Sequence, residues 1–481
     1  MTDMPLWRPK NTADTEMMGL AQLCSQRAGR PIEDFRALHA YSVEAPTEFW
    51  DLVWDDAGII GEKGGTVLAD PDKMPGARFF PDARLNFAEN LLRGDMEAEA
   101  IVFNGEDKAH ISMTRGELRA AVAKMQAHLA SLGVGEGDRV AAMLPNMPQT
   151  VVVCLATAAL GAVFSSCSPD FGERGVLDRF GQIAPKVFVA CDGYWYNGKP
   201  IDVCEKVRAV AGALAPAGMV VVPYLDDLRA HELTHAFHNA AHYDQIMERD
   251  ESEPAFAPMP FNAPLFILYS SGTTGVPKCI VHGAGGTLIK HMSEQRYHGD
   301  IRAGDRVFYF STCGWMMWNW LISALAAEAT LILYDGNPFA PDHNVLWDMA
   351  QSEKVTFFGT SAKYLDALKK SGARPIDTHD LSTVRTIAST GSPLSMDGFR
   401  FVYEGIKADV HLASISGGTD IVGCFVLGVP TEPVYAGEIQ GPALGLASDV
   451  ADETGAHLAA GKGELVCRRP FPSMPIMFWN D

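Results

Sequence analysis

Hydrophobic residues in this chain gather into short continuous runs, at residues 100–103, 139–144, 185–191, 219–223, 265–269, 306–310, 331–334, 355–358 and 386–389. Gly, Pro and small polar residues bound these runs, which predicts strands buried on both faces. Between them the apolar positions take helical spacing, at 114–132, 149–160, 203–214, 315–326, 345–352 and 362–370. In the first of these, Thr114 and Glu117 form a capping-box signature, and Leu118, Val122, Met125, Leu129 and Leu132 follow on one face before Gly133 closes the helix. Strands alternating with helices through short loops predict parallel sheets covered by helices. The tetrapeptide Gly-Asp-Arg-Val occurs at 137–140 and again at 304–307, entering a strand each time, which is compatible with two related α/β layers.

Two regions depart from this rhythm. Residues 1–90 set aromatics among polar clusters (Trp7, Phe35, Phe49, Trp50, Trp54, Phe79, Phe80, Phe87), as expected of a cap anchored on a larger body. From Ile421 onward the chain turns to short strands and Gly/Pro turns, a β-rich texture. The expected fold class is therefore α/β: two stacked, mainly parallel sheets covered by helices, plus a small β-rich subdomain. The expected boundaries are a cap over 1–95, a first α/β subdomain over 96–262, a second over 263–420 and the β-rich unit over 421–481.

Composition narrows the partners. A chain of 481 residues exceeds one compact core, so several subdomains are expected. Lys and Arg number 39 against 59 Asp and Glu, a net charge of −20. No basic run offsets it, which argues against nucleic acid or an anionic membrane as partner. The nine cysteines are scattered without Cys-x-x-Cys spacing, so neither a zinc site nor a disulfide framework is read, and a reducing cytoplasm is the expected location. The apolar stretch 150–164 is too short to span a bilayer, and no signal-peptide pattern is evident. His231, His235, His238 and His242 are read as a solvated helix face without matching carboxylate or thiol geometry.

The chemistry is concentrated after the run at 265–269. There Ser270, Ser271, Gly272, Thr273, Thr274 and Gly275 follow one another, and Lys278 stands at the edge of the same loop. Hydroxyls and inward-curling backbone N–H groups make such a loop a nest for phosphate oxygens. It is not the common P-loop, because Val276 and Pro277 separate Gly275 from the lysine. Ligands of open parallel sheets sit beyond the carboxyl ends of the strands. Three more loops carry small or polar residues at such places: 311–319, 389–393 and 414–420.

The string Tyr-Ser-Ser-Gly-Thr-Thr-Gly-Val-Pro-Lys at 269–278 resembles the phosphate loop of the acyl-adenylate-forming enzymes, the family of acyl-CoA synthetases, luciferases and peptide-synthetase adenylation domains. The resemblance runs from about residue 5 to the end. It implies ATP, Mg²⁺ and CoA as cofactors and co-substrates and a small carboxylic acid as partner. Ser270, Ser271, Gly272, Thr273, Thr274, Gly275 and Lys278 would hold phosphate, with Thr274, Lys278 and Asp420 in catalytic roles and Asp420 and Thr274 as metal ligands. Asp420 stands where the family usually carries Glu. Gly391, Ser392 and Pro393 are similar to an adenine-binding Gly-Glu-Pro, and Ser414, Ser416 and Thr419 would join them. Trp315, Met316, Met317, Trp318 and Asn319, with Gly417 and Gly418, fall where the family builds its acyl pocket. Acetate-specific relatives carry Trp at position 417, so Gly417 implies room for a longer acid. Asp170 and Gly172, and Tyr196 and Lys199, fall in the two loops that the resemblance assigns to CoA.

The segments 163–172 and 413–420 are similar to acetoacetate-activating members of that family. The implied activity is ATP-dependent activation of acetoacetate as an acyl-adenylate, followed by transfer to CoA. The alternatives are ligation of another short acid, such as propionate or butyrate, or a catalytically silent nucleotide-binding module. Family members continue with a ribose-binding Asp and a mobile C-terminal domain bearing a catalytic Lys, so the sequence ending at Asp481 is expected to be truncated. Oligomeric state is not legible.

Overall fold

The computed structural model describes residues 4–270 and 275–481. Fourteen of the fifteen strands of its two large sheets are, in chain order, β1 Glu99–Gly105, β2 Ala109–Thr114, β3 Arg139–Met143, β4 Val163–Cys167, β5 Val187–Cys191, β6 Gly218–Val222, β7 Ala240–His242, β8 Pro264–Tyr269, β9 Cys279–Gly283, β10 Arg306–Tyr309, β11 Thr330–Asp335, β12 Phe357–Ser361, β13 Thr386–Thr390 and β14 His411–Ser414. Three later strands matter below: β15 Ser416–Gly418, β16 Gly423–Leu427 and β17 Met477–Phe478.

The first sheet runs β7-β6-β5-β3-β4-β8-β9-β17 and the second β14-β13-β12-β10-β11-β1-β2. Each has a parallel body closed on one side by an antiparallel hairpin, β8–β9 in the first and β1–β2 in the second. Apart from β17, which extends the first sheet, the two orders match strand for strand. Both Gly-Asp-Arg-Val turns enter the strand that starts the parallel body, β3 or β10. Gly137 and Gly304 have φ of 76° and 81°. The Asp carboxylates at 138 and 305 each accept an N–H from three residues earlier, at 3.0 and 2.8 Å.

This interlacing corrects the boundaries expected at 95/96 and 262/263. The hairpin at 99–114 belongs to the second sheet, and the strand before the phosphate loop belongs to the first. Pairing between distant parallel strands leaves no local mark in the sequence.

The strands of the second sheet alternate between two cores, as a pleat requires. Ile101, Phe103, Val307, Leu331 and Leu333 join the core shared with the first sheet. Val102, Phe308, Ile332, Phe358 and Ile387 face a second core with Trp347 and Leu365. The runs were continuous because both faces are covered.

The capping box forms, with Thr114 and Glu117 both engaged, on helix Arg115–Ser131. The helix expected over 315–326 is Met316–Ile322, tightening to a 3-10 turn over Ser323–Ala327. The cap holds four helices, Glu16–Ala28, Phe35–Glu44, Pro46–Asp56 and the short Phe87–Leu91, and buries Phe49, Trp50, Trp54, Phe79, Phe80 and Phe87. No helix among the described residues is long and apolar enough to cross a membrane.

Candidate active site

A cleft of about 470 Å³ opens beyond the carboxyl ends of β13 and β14. Thr390 and Ser414 end those strands. Gly391 turns away at φ 84°, followed by Ser392 and Pro393 on the same wall. Ser414, Ser416, Gly417, Gly418 and Thr419 continue it, and Trp315, Met316 and Met317 form the facing wall. The Thr390 hydroxyl donates to the Ile415 carbonyl at 3.0 Å, tying the two loops. One wall is thus small and polar, and the other is large and soft. This arrangement suits a flat polar ring beside an apolar chain.

Cys424 lines the cleft, and behind it lies a buried charge pair. Lys290 and Glu294 are each 1% exposed and 2.9 Å apart. Glu294 accepts the Cys424 N–H at 2.7 Å and the Trp320 indole N–H at 2.8 Å, while Lys290 donates to the Cys424 carbonyl at 3.0 Å. The pair therefore grips both backbone groups of one lining residue. Nearby, His282 donates to the Thr419 carbonyl at 2.7 Å and His291 to the Val422 carbonyl at 2.5 Å. Burial pushes both imidazoles down to about 4, so they are neutral donors at neutral pH. Val422 sits at φ 47°, a costly conformation for a β-branched residue. The two histidines thus hold the strained turn that carries Asp420.

Asp420 is exposed, and its carboxylate folds back toward Gly418: a Cβ added there would stand 3.5 Å from Asp420 Oδ2. The exposed Asp420 carboxylate, next to the lining residue Thr419, is a hard oxygen donor of the type Mg²⁺ takes.

Three expectations about the acyl pocket change. Trp318 is fully buried and donates its indole N–H to Asn146 Oδ1 at 3.0 Å, and it does not line the cleft. Asn319 is also buried and off the lining, with both side-chain amide atoms unpartnered. Gly417 lines the cleft, but its side-chain direction faces β16. A Cβ there would lie 2.0 Å from the Gly423 carbonyl oxygen and 2.5 Å from Cys424 Cα. An indole at 417 is incompatible with this backbone, so the room comes from the path of the β15–β16 hairpin as well as from the missing side chain.

The loop expected to hold phosphate follows strand β8, which ends at Tyr269. The Ser270 N–H donates to the Lys278 carbonyl at 3.1 Å, Gly275 has φ 99°, and Gln182 donates to the Pro277 carbonyl at 2.9 Å. Lys278 is exposed and has no carboxylate partner among the described residues. Ser271, Gly272, Thr273 and Thr274 lie outside the described residues.

Of the residues expected near CoA, Asp170 and Gly172 sit on the loop that ends at helix Glu173–Ile183. That loop abuts the turn into Trp315: a Cβ on Gly314 would stand 2.9 Å from the Phe171 ring and 3.5 Å from Ser168 N. Lys206 braces the loop through the carbonyls of Pro169 and Phe171, the latter at 2.9 Å. Tyr196 and Lys199 flank the turn of a hairpin, Gly193–Tyr196 with Lys199–Asp202, away from the cleft lining. The N–H groups of Asn197 and Gly198 both donate to Glu106 at 2.7 Å.

Sequence reasoning missed Lys290, Glu294, His282, His291, Lys206 and Glu106. A Lys–Glu pair at i, i+4 reads as a surface pair. Only the continuous burial of helix Ala284–Met292 marks it otherwise.

Comparison with known proteins shows the family and the fold. The AMP-binding enzyme family matches residues 88–475, and the acetyl-coenzyme A synthetase N-terminus matches residues 35–91. The chain is 57% identical over 482 residues to an acetoacetyl-coenzyme A synthetase of Rhizobium meliloti (strain 1021), covering 100% of this chain and 74% of that protein. It is 41% identical over 488 residues to the acetoacetyl-CoA synthetase of Mus musculus, covering 99% and 72%. The solved structure of an acetoacetyl-CoA synthetase from Streptomyces lividans superimposes with a TM-score of 0.94 at 41% identity, covering 99% of this chain and 74% of that one.

Proposed function

From the premise that this chain belongs to the AMP-binding enzyme family, we propose that it is an AMP-forming acid–thiol ligase acting on acetoacetate. ATP and acetoacetate give acetoacetyl-adenylate and pyrophosphate. The CoA thiolate then attacks the acyl carbon, the bond to phosphate breaks, and AMP leaves. The observation that supports this best is the cleft itself, which sets a small polar wall for a base against a soft apolar wall for a short chain.

In this reading Gly391, Ser392, Pro393, Ser414, Ser416 and Thr419 bind the adenine end. Trp315, Met316, Met317, Gly417 and Gly418 take the acid. Lys278 offers its cation to the phosphates beside Ser270 and Gly275, with Ser271, Gly272, Thr273 and Thr274 completing that loop, a purely electrostatic contribution to a charged transition state. Asp420, with Thr274, would hold Mg²⁺, which when bound neutralises phosphate charge. Asp170 and Gly172 lie on the loop nearest Trp315, where the pantetheine would enter, and Tyr196 and Lys199 meet the distal phosphates of CoA.

The test is acid-dependent ATP–pyrophosphate exchange and AMP release across acetoacetate, acetate, propionate and butyrate, using the full-length protein. Acetoacetate should give the highest kcat/KM. A higher value for propionate or butyrate would move the assignment to that acid, and ATP binding without exchange for any acid would leave only a nucleotide-binding module.

A further inference from the structure

Away from the cleft, helix Asp227–His235 and edge strand β7 bring Asp227, His231 and His242 together. The sequence reading put these histidines on a solvated face with no carboxylate in range, and the structure corrects it. Asp227 and His231 are one helical turn apart, and His242 ends the strand. One carboxylate oxygen lies 3.6 Å from His231 Nε2 and the other 3.4 Å from His242 Nε2. The two imidazoles stack with centroids 4.1 Å apart and planes 12° apart. All three ligating atoms lie within 4.8 Å of one another.

His242 is 1% exposed, and neither of its ring nitrogens has a hydrogen-bond partner among the described residues. A buried polar group left without a partner calls for a physical reason.

We infer that Asp227, His231 and His242 form a binding site for a single divalent transition-metal ion of the zinc class. Two imidazole nitrogens and one carboxylate oxygen, with water in a fourth position, match the tetrahedral preference and mixed donor set of Zn²⁺. Mg²⁺ and Ca²⁺ prefer oxygen throughout. Bond lengths of about 2.0–2.1 Å set neighbouring tetrahedral ligand atoms roughly 3.3 Å apart. The side chains must therefore close in by on the order of 1 Å, and the His231 ring must turn out of its stack so that both in-plane lone pairs meet at one ion. Asp227, 67% exposed, and His231, 35% exposed, are free to make that movement.

The ion clips the first turns of the helix to the sheet edge. The same helix carries Arg229, which pairs with Asp202 at 2.7 Å at the end of the hairpin bearing Lys199. The site shares no residue with the proposed catalytic cleft.

The test is a Zn²⁺ titration of metal-free protein against a chromophoric competitor, with melting temperature as a second readout. One equivalent should bind in the micromolar range or tighter and raise the melting temperature. Asp227→Asn and His231→Ala, both at solvent-accessible positions, should each weaken binding by at least about tenfold while leaving the metal-free melting temperature unchanged. Absence of binding at tens of micromolar Zn²⁺, or one-equivalent binding that survives both substitutions, overturns the site. Neither outcome bears on the ligase reading, which does not use this ion.

Discussion

Hairpins β8–β9 and β1–β2 hold the same place in their two sheets, each pairing parallel with the last strand of a five-stranded body. Their turns have opposite character. The turn of β8–β9 carries small hydroxyl residues and Lys278, which meets no carboxylate among the described residues. The turn of β1–β2 carries Glu106, whose carboxylate accepts N–H groups from Asn197, Gly198 and Asn337 at 2.7, 2.7 and 2.9 Å. One position on the scaffold carries the loop proposed to hold phosphate, while its counterpart is an acidic brace for the hairpin bearing Tyr196 and Lys199. A shared topology fixes where a loop emerges, and the residues in the loop decide its chemistry.

That contrast breaks most sharply at Lys278. Lys278→Ala should lower acid-dependent pyrophosphate exchange by about 100-fold or more while leaving the melting temperature unchanged, because the side chain is exposed. Unaltered exchange would remove the cradle reading. At the matching turn, Glu106→Ala frees three N–H groups and should raise the KM for CoA by roughly tenfold. Pyrophosphate exchange should be spared, and steady-state kinetics of the two half-reactions separate these outcomes.

A smaller effect is expected at the root of the acidic turn. Burial pushes Asp335 up to about 7, against an ordinary value of 3.8, and Glu106 and Asp170 add to the rise while a hydrogen bond from Tyr224 opposes it. A raised carboxylate favours folding while protonated, so its contribution is present below about 4 and lost as pH climbs through about 7. Asp335→Asn should therefore melt higher than the parent at pH 8, and the difference should shrink toward pH 5. A gap independent of pH would dissociate the effect from this ionisation.

The smallest effects compare the two Gly-Asp-Arg-Val turns. Asp305 forks onto Arg385 at 2.8 and 2.7 Å, whereas Asp138 meets Lys186 at 2.9 Å through one oxygen. Asp305→Ala should cost about 1–2 kcal/mol in denaturant unfolding and Asp138→Ala less than about 1 kcal/mol. Equal losses would mean that the backbone turn, and not the ion pair, carries the stability.

The sequence made the strands legible because burial on both faces leaves uninterrupted runs such as 265–269. The Thr114–Glu117 cap was equally plain, because its chemistry is local. The loops lining the cleft were legible because Gly391, Ser392, Gly417 and Gly418 follow strand ends. What escaped was non-local. Nothing in residues 99–114 says that they pair with β11, and nothing around Gly417 says that its side-chain direction meets β16. In the sequence His242 reads as part of the same solvated helix face as His231, and nothing local says that it sits on a separate strand, Ala240–His242, facing Asp227.

Threading β1–β2 into the later sheet also has a cost in time. As the polypeptide leaves the ribosome, the hairpin at 99–114 emerges long before β11 at Thr330–Asp335, its neighbour, has been made. Until then its apolar edge must wait uncovered, which exposes the nascent chain to aggregation and makes assembly of the second sheet a late event in folding.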